Sequence, residues 1–209
     1  MTTETKAHTA RTRLLDAALR IIREKGFHAT TVDELCAAAS VTKGAFFHHF
    51  KSKEDLGVAA AEHWSKMTSG LFAGAPYHAP DDPFERVMGY LDFRAALIRG
   101  TTAEFTCLVG TMAQETFLTN PAIRDACFGS ISRHAETLEA DLATLITAHG
   151  LDGEVSAKSL ALHTQVVLQG AFILAKAKDD PSIAADSIAH LRRYFALLFR
   201  AQQPREKTP

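Results

Sequence analysis

Cysteine is scarce in this 209-residue chain. Cys36, Cys107 and Cys127 make an odd count, and no two stand in Cys-x-x-Cys spacing. That excludes a disulfide or zinc framework and reads as reduced thiols. Net charge is lacking too: 23 Lys and Arg stand against 24 Asp and Glu, a formal balance of -1. Long apolar runs are absent. The longest, around Val166 to Ala177, is interrupted by Gln169 and Lys176, so no membrane span is expected. Met1 to Arg13 is polar, without the apolar core of a secretory signal, and a cytoplasmic location follows as an expectation. Period-two alternation is missing as well, which argues against strands. So are GxGxxG, Walker A, GxSxG and HExxH, and no Asp or Glu is followed by His three residues later. The last absence removes the Glu-x-x-His pairs that a di-iron helical bundle needs. His48 and His49 are adjacent, so on a helix they point about 100° apart and cannot chelate one ion. No metal, cofactor or enzymatic activity is expected.

What remains is helix. Apolar residues make up 46% of the chain and charged ones 22%, an ordinary balance for a globular protein. Leu14, Leu15, Ala18, Leu19 and Ile22 form one stripe on a first helix that Lys25-Gly26 closes. Thr31 followed by Glu34 has capping-box spacing and opens a second, with Val32, Leu35, Cys36 and Ala39 inward. Thr42 caps a short third helix to about Phe50, and Ser52 with Asp55 opens a fourth to about Phe72. After a Pro-rich loop, Asp82-Pro83 starts a fifth helix to about Arg99. A sixth covers Ala103 to Leu118, and a seventh runs from Asn120-Pro121 to His149-Gly150. An eighth spans Glu154 to Lys178, and a ninth ends near Gln202, before a polar tail. The expected fold is all-α with about nine helices, divided into residues 1–55 and 56–209.

Residues 1–55 carry nine Lys and Arg against seven Asp and Glu, a weakly basic end on a neutral chain. Within them, Thr30 to Leu56 reads as two short helices joined by a tight turn. Helix two packs on helix three through Leu35, Ala38 and Ala39, while Phe46 and Phe50 face inward. That leaves Thr42, Lys43, Gly44, Phe47 and His48 at the exposed start and side of helix three, where a recognition helix meets base edges. Lys43, Lys51 and Lys53 supply cations for phosphate, and Thr31 joins them through the capped start of helix two. A purely structural reading makes Phe46, His49 and Phe50 the seam of a small bundle. It does not account for the whole spacing from Thr31 to Leu56.

The segment Phe47-His48-His49-Phe50-Lys51-Ser52-Lys53-Glu54-Asp55-Leu56 resembles the end of the TetR-family DNA-binding domain, and the likeness covers about residues 10–56. The resemblance implies an N-terminal helix-turn-helix that binds double-stranded operator DNA. Positions matching Thr42, Lys43, Gly44, Phe47 and His48 touch DNA in the family, and the one matching Lys53 touches phosphate. Two residues depart from the pattern. Phe47 stands where Tyr is usual and loses a hydroxyl, worth about 0.5–1.5 kcal/mol. Ser40 stands where the turn usually has Gly, and in a left-handed conformation it stores about 1 kcal/mol.

Thr106 to Glu115 is similar to the Gly-Cys-Leu-x-Gly-x-x-x-x-Glu segment of a TetR subgroup, and Val167 to Ala171 to that subgroup's late helix eight. The resemblance implies a small-molecule effector pocket between helices four and seven, and a homodimer through helices eight and nine. Pocket candidates are Trp64, Met67, Tyr90, Phe93, Leu97, Phe105, Cys107, Met112, Phe117, Phe128, His134 and His163, with Arg94 and Gln114 available to orient an anion or carbonyl. Each aromatic residue alone is what any bundle core requires. Dimer candidates are Leu160, Thr164, Val167, Leu168 and Ala171 with Leu191, Phe195 and Leu198. Cys107 matches a cysteine by which some TetR relatives sense electrophiles, yet no His or Lys lies beside it, and it reads as an apolar cysteine near a helix start. A non-DNA-binding helical adaptor and an activator of the same architecture are the alternatives.

Overall fold

The computed structural model describes residues 9–199, and the expected polar tail and the end of the last helix near Gln202 lie outside them. Eleven α-helices and a short 3-10 turn, Pro76–His78, make up the regular structure of the described residues, and no strand occurs among them. Contacts divide the chain into two units. One comprises the residues to Thr68 together with Thr106–Ser130, the other Ser69–Phe105 and the residues from Ile131. The unit that holds the head therefore takes in segments well beyond residue 55.

In the first unit α1 (Ala10–Lys25) starts at Thr9, whose side chain accepts from the Thr12 amide, and ends at Gly26 with φ 91°. Leu14, Leu15, Ala18, Leu19 and Ile22 are all buried, as their spacing requires. Next, α2 (Val32–Ala39) opens with a complete capping box between Thr31 and Glu34. Glu34 also pairs with Lys25, and these bonds hold its carboxyl down at about 2. Leu35, Cys36 and Ala39 are buried, while Ala38, expected at the contact with α3, is exposed. Ser40 ends the helix at φ 52° and ψ 50°, the left-handed turn that Gly would adopt without strain. Helix α3 (Lys43–His49) starts from the Thr42 cap, and α4 (Lys53–Ala73) follows with Asp55 N–H donating to Ser52 Oγ. Gly57 of α4 is a close approach: a Cβ there would lie 2.9 Å from both Ile123 and the Phe27 ring.

Two separate sequence helices appear where one was expected, twice over. The sixth is split into α6 (Thr102–Phe105) and α7 (Leu108–Thr116), and the seventh into α8 (Pro121–Glu136) and α9 (Glu139–Ala148). At the first break Glu104 caps back onto the Thr101 amide at 2.6 Å, closing a single turn, and Cys107 restarts the chain in extended conformation. At the second, Thr137 and Leu138 donate to the carbonyls of His134 and Ala135, a tight turn that buries Leu138. Neither break carries Gly or Pro.

The second unit adds α5 (Pro83–Ala96), capped by Asp82, with α10 (Ala157–Lys178) and α11 (Ser182–Leu198). Helix α10 is also the one described helix long and apolar enough to cross a membrane by length and composition. Its Leu160, Ala161, Thr164, Leu168, Ala171 and Ala175 are nonetheless buried in this unit, where it packs on α9 and α11. In the single chain that burial takes up much of the expected dimer face. Leu160, Thr164, Leu168, Ala171, Leu191 and Phe195 are filled by the chain's own core, and Val167 and Leu198 are half-buried. The apolar residues exposed on these two helices are Leu162, Val166, Ile173 and Leu174, with Tyr194 and Leu197.

One corner governs how α1 and α2 meet. The Glu115 carboxylate, in the last turn of α7, accepts from the Phe27 amide at 3.1 Å and the His28 amide at 2.8 Å. From the other side Lys53 Nζ donates to the carbonyls of Phe27, His28 and Thr30 at 3.1, 3.3 and 3.0 Å and lies over the Phe27 ring. A Cβ on Gly26 would collide with the Glu115 carboxylate, so only Gly fits there. Replacing Glu115 by Ala leaves two amides without their charged acceptor, and unfolding should become easier by about 1–3 kcal/mol. Calorimetry reads this as a drop of roughly 2–4 °C in Tm per kcal/mol. An unchanged Tm would show that the corner does not depend on this residue.

Candidate functional site

The first unit presents a short helix with a sharply divided surface. Phe46 and Phe50 are buried, their ring centroids 5.7 Å apart, and Arg11 lies over the Phe50 ring. This seam fixes the roll of α3 and turns Thr42, Lys43, Gly44, Phe47 and His48 to solvent. Phe47 is 57% exposed, an unusual setting for a ring with no polar atom. The Thr42 side chain accepts the Ala45 amide at 3.1 Å, so the exposed start of the helix is capped. Lys43 Nζ pairs with Asp33 at 2.7 Å; both side chains are largely exposed, so this pair is easily exchanged for a phosphate. Thr31 is exposed and engaged in the capping box, and Lys51 is exposed.

Lys53 differs from its expected role. All three of its donors go to the carbonyls of the α1–α2 corner, so as placed it organises the head and offers no hydrogen to phosphate.

The second unit holds a polar cluster inside an aromatic ring set. Tyr90, fully buried, accepts from Arg94 Nε at 2.9 Å and from Gln165 Nε2 at 3.1 Å. Both lone pairs of its hydroxyl are then used, and its one hydrogen points to His134 Nε2 at 3.1 Å. The His134 proton therefore sits on Nδ1. Burial first, then the Arg94 charge, pushes the imidazole down to about 3, which favours the neutral ring. Gln165 Oε1 receives Arg94 Nη2 at 3.4 Å, and its amide also donates to Thr164 Oγ1. Phe72 stacks against Phe93 and His134, and the Arg94 guanidinium lies 4.5 Å over its ring.

Comparison with known proteins puts this arrangement in context. The family model for bacterial regulatory proteins of the tetR family matches residues 14–60, and that for the C-terminal domain of LmrA/YxaF-like transcriptional regulators matches 83–185. The transcriptional regulator AcuR of Cereibacter sphaeroides is 29% identical over 84% of this chain and 80% of its own. The HTH-type transcriptional regulator YxaF of Bacillus subtilis is 24% identical, covering 82% of this chain and 87% of its own. Among solved structures, a regulatory protein TetR from Rhodobacter sphaeroides superposes with a TM-score of 0.75 at 25% identity, covering 91% of this chain and 99% of that one. The chain belongs to the TetR family. It is a non-enzymatic DNA-binding transcription regulator with an N-terminal helix-turn-helix.

In this TetR-family chain the expected pocket residues separate. Tyr90, Phe93 and His134 come together around Arg94, and sequence reasoning had singled out all four. It missed Phe72, Tyr77 and Gln165, which read as ordinary helix and loop residues. Leu97 is half-buried at the end of α5, and Phe105 meets Phe172 with ring centroids 6.1 Å apart. In the other unit Met112 is buried, Cys107 half-buried at the start of α7, and Trp64 half-buried beneath Arg23. Met67, Phe117 and Phe128 are exposed, at 46%, 53% and 62%, and line no enclosed site within their unit. His163 is exposed beside Tyr194 in an open groove of about 570 Å³ with Ser156 and Ser159. Gln114 turns back to the Gly110 carbonyl. Burial pushes the Cys127 thiol up to about 12, with Cys107 adding to the shift, so Cys127 is no nucleophile.

The His134 result has a direct spectroscopic consequence. Its side-chain 15N resonances should report a neutral ring with the proton on Nδ1, unchanged between pH 7.5 and 5. Because its folded value lies below the unfolded 6.5, the unfolded chain binds the extra proton, and stability declines as pH falls from about 6.5 towards 3. Full protonation of His134 near pH 6 in the folded protein would refute this placement of its hydrogen.

Proposed function

We propose that the protein is a ligand-responsive repressor that binds a pseudo-palindromic operator as a homodimer and is released by a small-molecule effector, in the cytoplasm. The observation that carries the DNA-binding surface is the display of Thr42, Lys43, Gly44, Phe47 and His48 along one capped helix whose opposite side is locked by Phe46 and Phe50. Residues at the start of such a helix reach base edges, while Lys43, Lys51 and the capped start of α2 at Thr31 meet backbone phosphates. Lys53 acts one step back by holding the corner from which the head is built. The family's regulators, AcuR and YxaF among them, support a role in transcription.

The second copy is expected on the exposed faces of α10 and α11. Leu162, Val166 and Ile173 recur at i, i+4 and i+11, within about 40° on a helix, which makes one apolar stripe. Tyr194 and Leu197 extend the exposed apolar surface on α11. A two-fold dimer buries such a self-complementary patch twice, and the two heads then meet major grooves about 34–36 Å apart or a multiple of it. Effector and operator binding oppose each other with equal coupling in both directions.

Selection of bound duplexes from a random pool at moderate salt should recover an inverted repeat, and Lys43→Ala should weaken binding to every recovered sequence. Recovery of background alone by folded dimer would favour a helical adaptor. Val166→Glu should raise the dimer dissociation constant at least about a hundredfold by burying an unpaired charge, which sedimentation reads as conversion to monomer. A Val166→Glu dimer as tight as the native one would move the interface elsewhere.

A further inference from the structure

The cluster around Arg94 is unusual in the direction of its hydrogen bonds. Every acceptor in it is used, and what is left over is all donor. Arg94 gives Nε–H to Tyr90 and one Nη2–H to Gln165, which leaves both Nη1 hydrogens and the second Nη2 hydrogen without an acceptor among the described residues. His134 takes the Tyr90 proton on Nε2 and so presents Nδ1–H, also without a recorded acceptor. No carboxylate among the described residues pairs with Arg94. Asp141, which bears on the neighbouring Tyr77, is gripped by Arg86 Nε at 3.0 Å and Nη2 at 2.5 Å. Asp92, two residues before Arg94, is taken by Arg192. Every sealed side-chain nitrogen and oxygen described has a partner, so the unfilled donors of Arg94 and His134 open to solvent.

Arg94 is half-buried and its open donors meet water, so the cost of leaving this cation without a carboxylate is modest. The aromatic faces offset part of the cost, with Arg94 over Phe72 at 4.5 Å and over Tyr90 at 5.4 Å. An anion from outside would replace water on donors that no described carboxylate takes. We propose that Arg94 and His134 form the recognition site for an organic monocarboxylate, held by the Arg94 Nη edge and the His134 Nδ1–H, with its apolar body beside the half-buried Phe93 ring. The charge balance selects a monoanion: one fixed cation faces no second one, whereas a phosphate dianion needs two. The planar guanidinium edge matches both oxygens of a carboxylate. Tyr90 and Gln165 are positioning residues that hold Arg94 in place. This inference deepens the reading of the protein as ligand-responsive and rests on it for its role, though not for its chemistry.

The test uses the full-length protein and four probes, benzoate and hexanoate with the matching neutral amides. Calorimetry should show at least one acid saturating a single site per chain and its amide binding about 30-fold or more weakly. Arg94→Gln should cost the acid a similar factor, while Arg94→Lys, which keeps the charge and loses the fork, falls between. In native protein labelled at arginine and histidine, saturation should shift the Arg94 Nη and His134 Nδ1 resonances, a readout that needs no variant to fold. Acid and amide binding alike, neither acid binding, or shifts that spare both resonances would each overturn the proposal. Operator binding measured on the same samples keeps the two readings apart. An acid that fills this site without releasing DNA supports the site and refutes ligand release by it. Release by the neutral amides alone, with Arg94 unperturbed, overturns the site and leaves the regulator standing.

Discussion

The peptide groups between Gly26 and Thr30 must turn the chain from α1 into α2 without a helix to absorb their hydrogen bonds. Two ionised side chains take that role from opposite sides, Glu115 on the amides and Lys53 on the carbonyls. Bonds to charged partners are worth roughly twice neutral ones, so the corner is held by the strongest polar contacts in the head. Each residue also belongs to a different helix, Lys53 to the first turn of α4 and Glu115 to the last of α7. The angle between α1 and α2, and with it the aim of α3, depends on where those two helices lie. A salt bridge between Lys53 and Glu115 themselves would not do this. It is the polarised backbone between them that makes the head responsive to both helices at once.

The head was legible because its signals are local. Capping by Thr31, Thr42 and Ser52 needs a hydroxyl within three residues of the amide it serves, and the left-handed turn at Ser40 is a property of one residue. What the sequence did not disclose is non-local. Lys53 looked like a phosphate ligand because it matches the family's phosphate-contacting position; its partners come from residues 27, 28 and 30 across the fold. The helix breaks at Thr106 and Thr137 carry neither Gly nor Pro; Cys107 turns extended at the first, and the second is a tight turn over buried Leu138. Helix α10 misled for a different reason. It is apolar on two faces, one filled by α9 and α11 and one exposed, and periodicity alone does not say which face meets the chain's own core.

The cluster around Arg94 shows the same limit from the other side. Tyr90, Arg94 and His134 were legible as polar residues on apolar helix faces, but their meaning lies in the order of the hydrogen bonds. Gln165, far along the chain, occupies the second lone pair of Tyr90 and so forces its proton onto His134. Replace that glutamine by an acceptor-only group and the direction of the chain reverses. Tyr90 would donate to it, and His134 would have to supply a hydrogen from Nε2, leaving Nδ1 an acceptor facing outward. One amide thus decides whether the site presents only donors or a mixture.

Helix α4 links these two constraints. Lys53 in its first turn holds the head's corner, and Phe72 in its last carries the Arg94 guanidinium and packs on His134. Gly57, between them, is where α4 comes too close to Phe27 and Ile123 for any side chain, so sideways movement of the helix start meets the corner's own ring directly. Lys53 answers to the backbone it grips, and Phe72 to the guanidinium over its ring. Packed interfaces of this kind pass from one arrangement to another and do not deform continuously. The interaction at stake at one end is a cation over a ring, and at the other an ammonium on three carbonyls. Both are electrostatic, and both use cations that are only half-buried. Each contact belongs to its own unit, so α4 carries two separate anchors, one for the head and one for the cluster around Arg94.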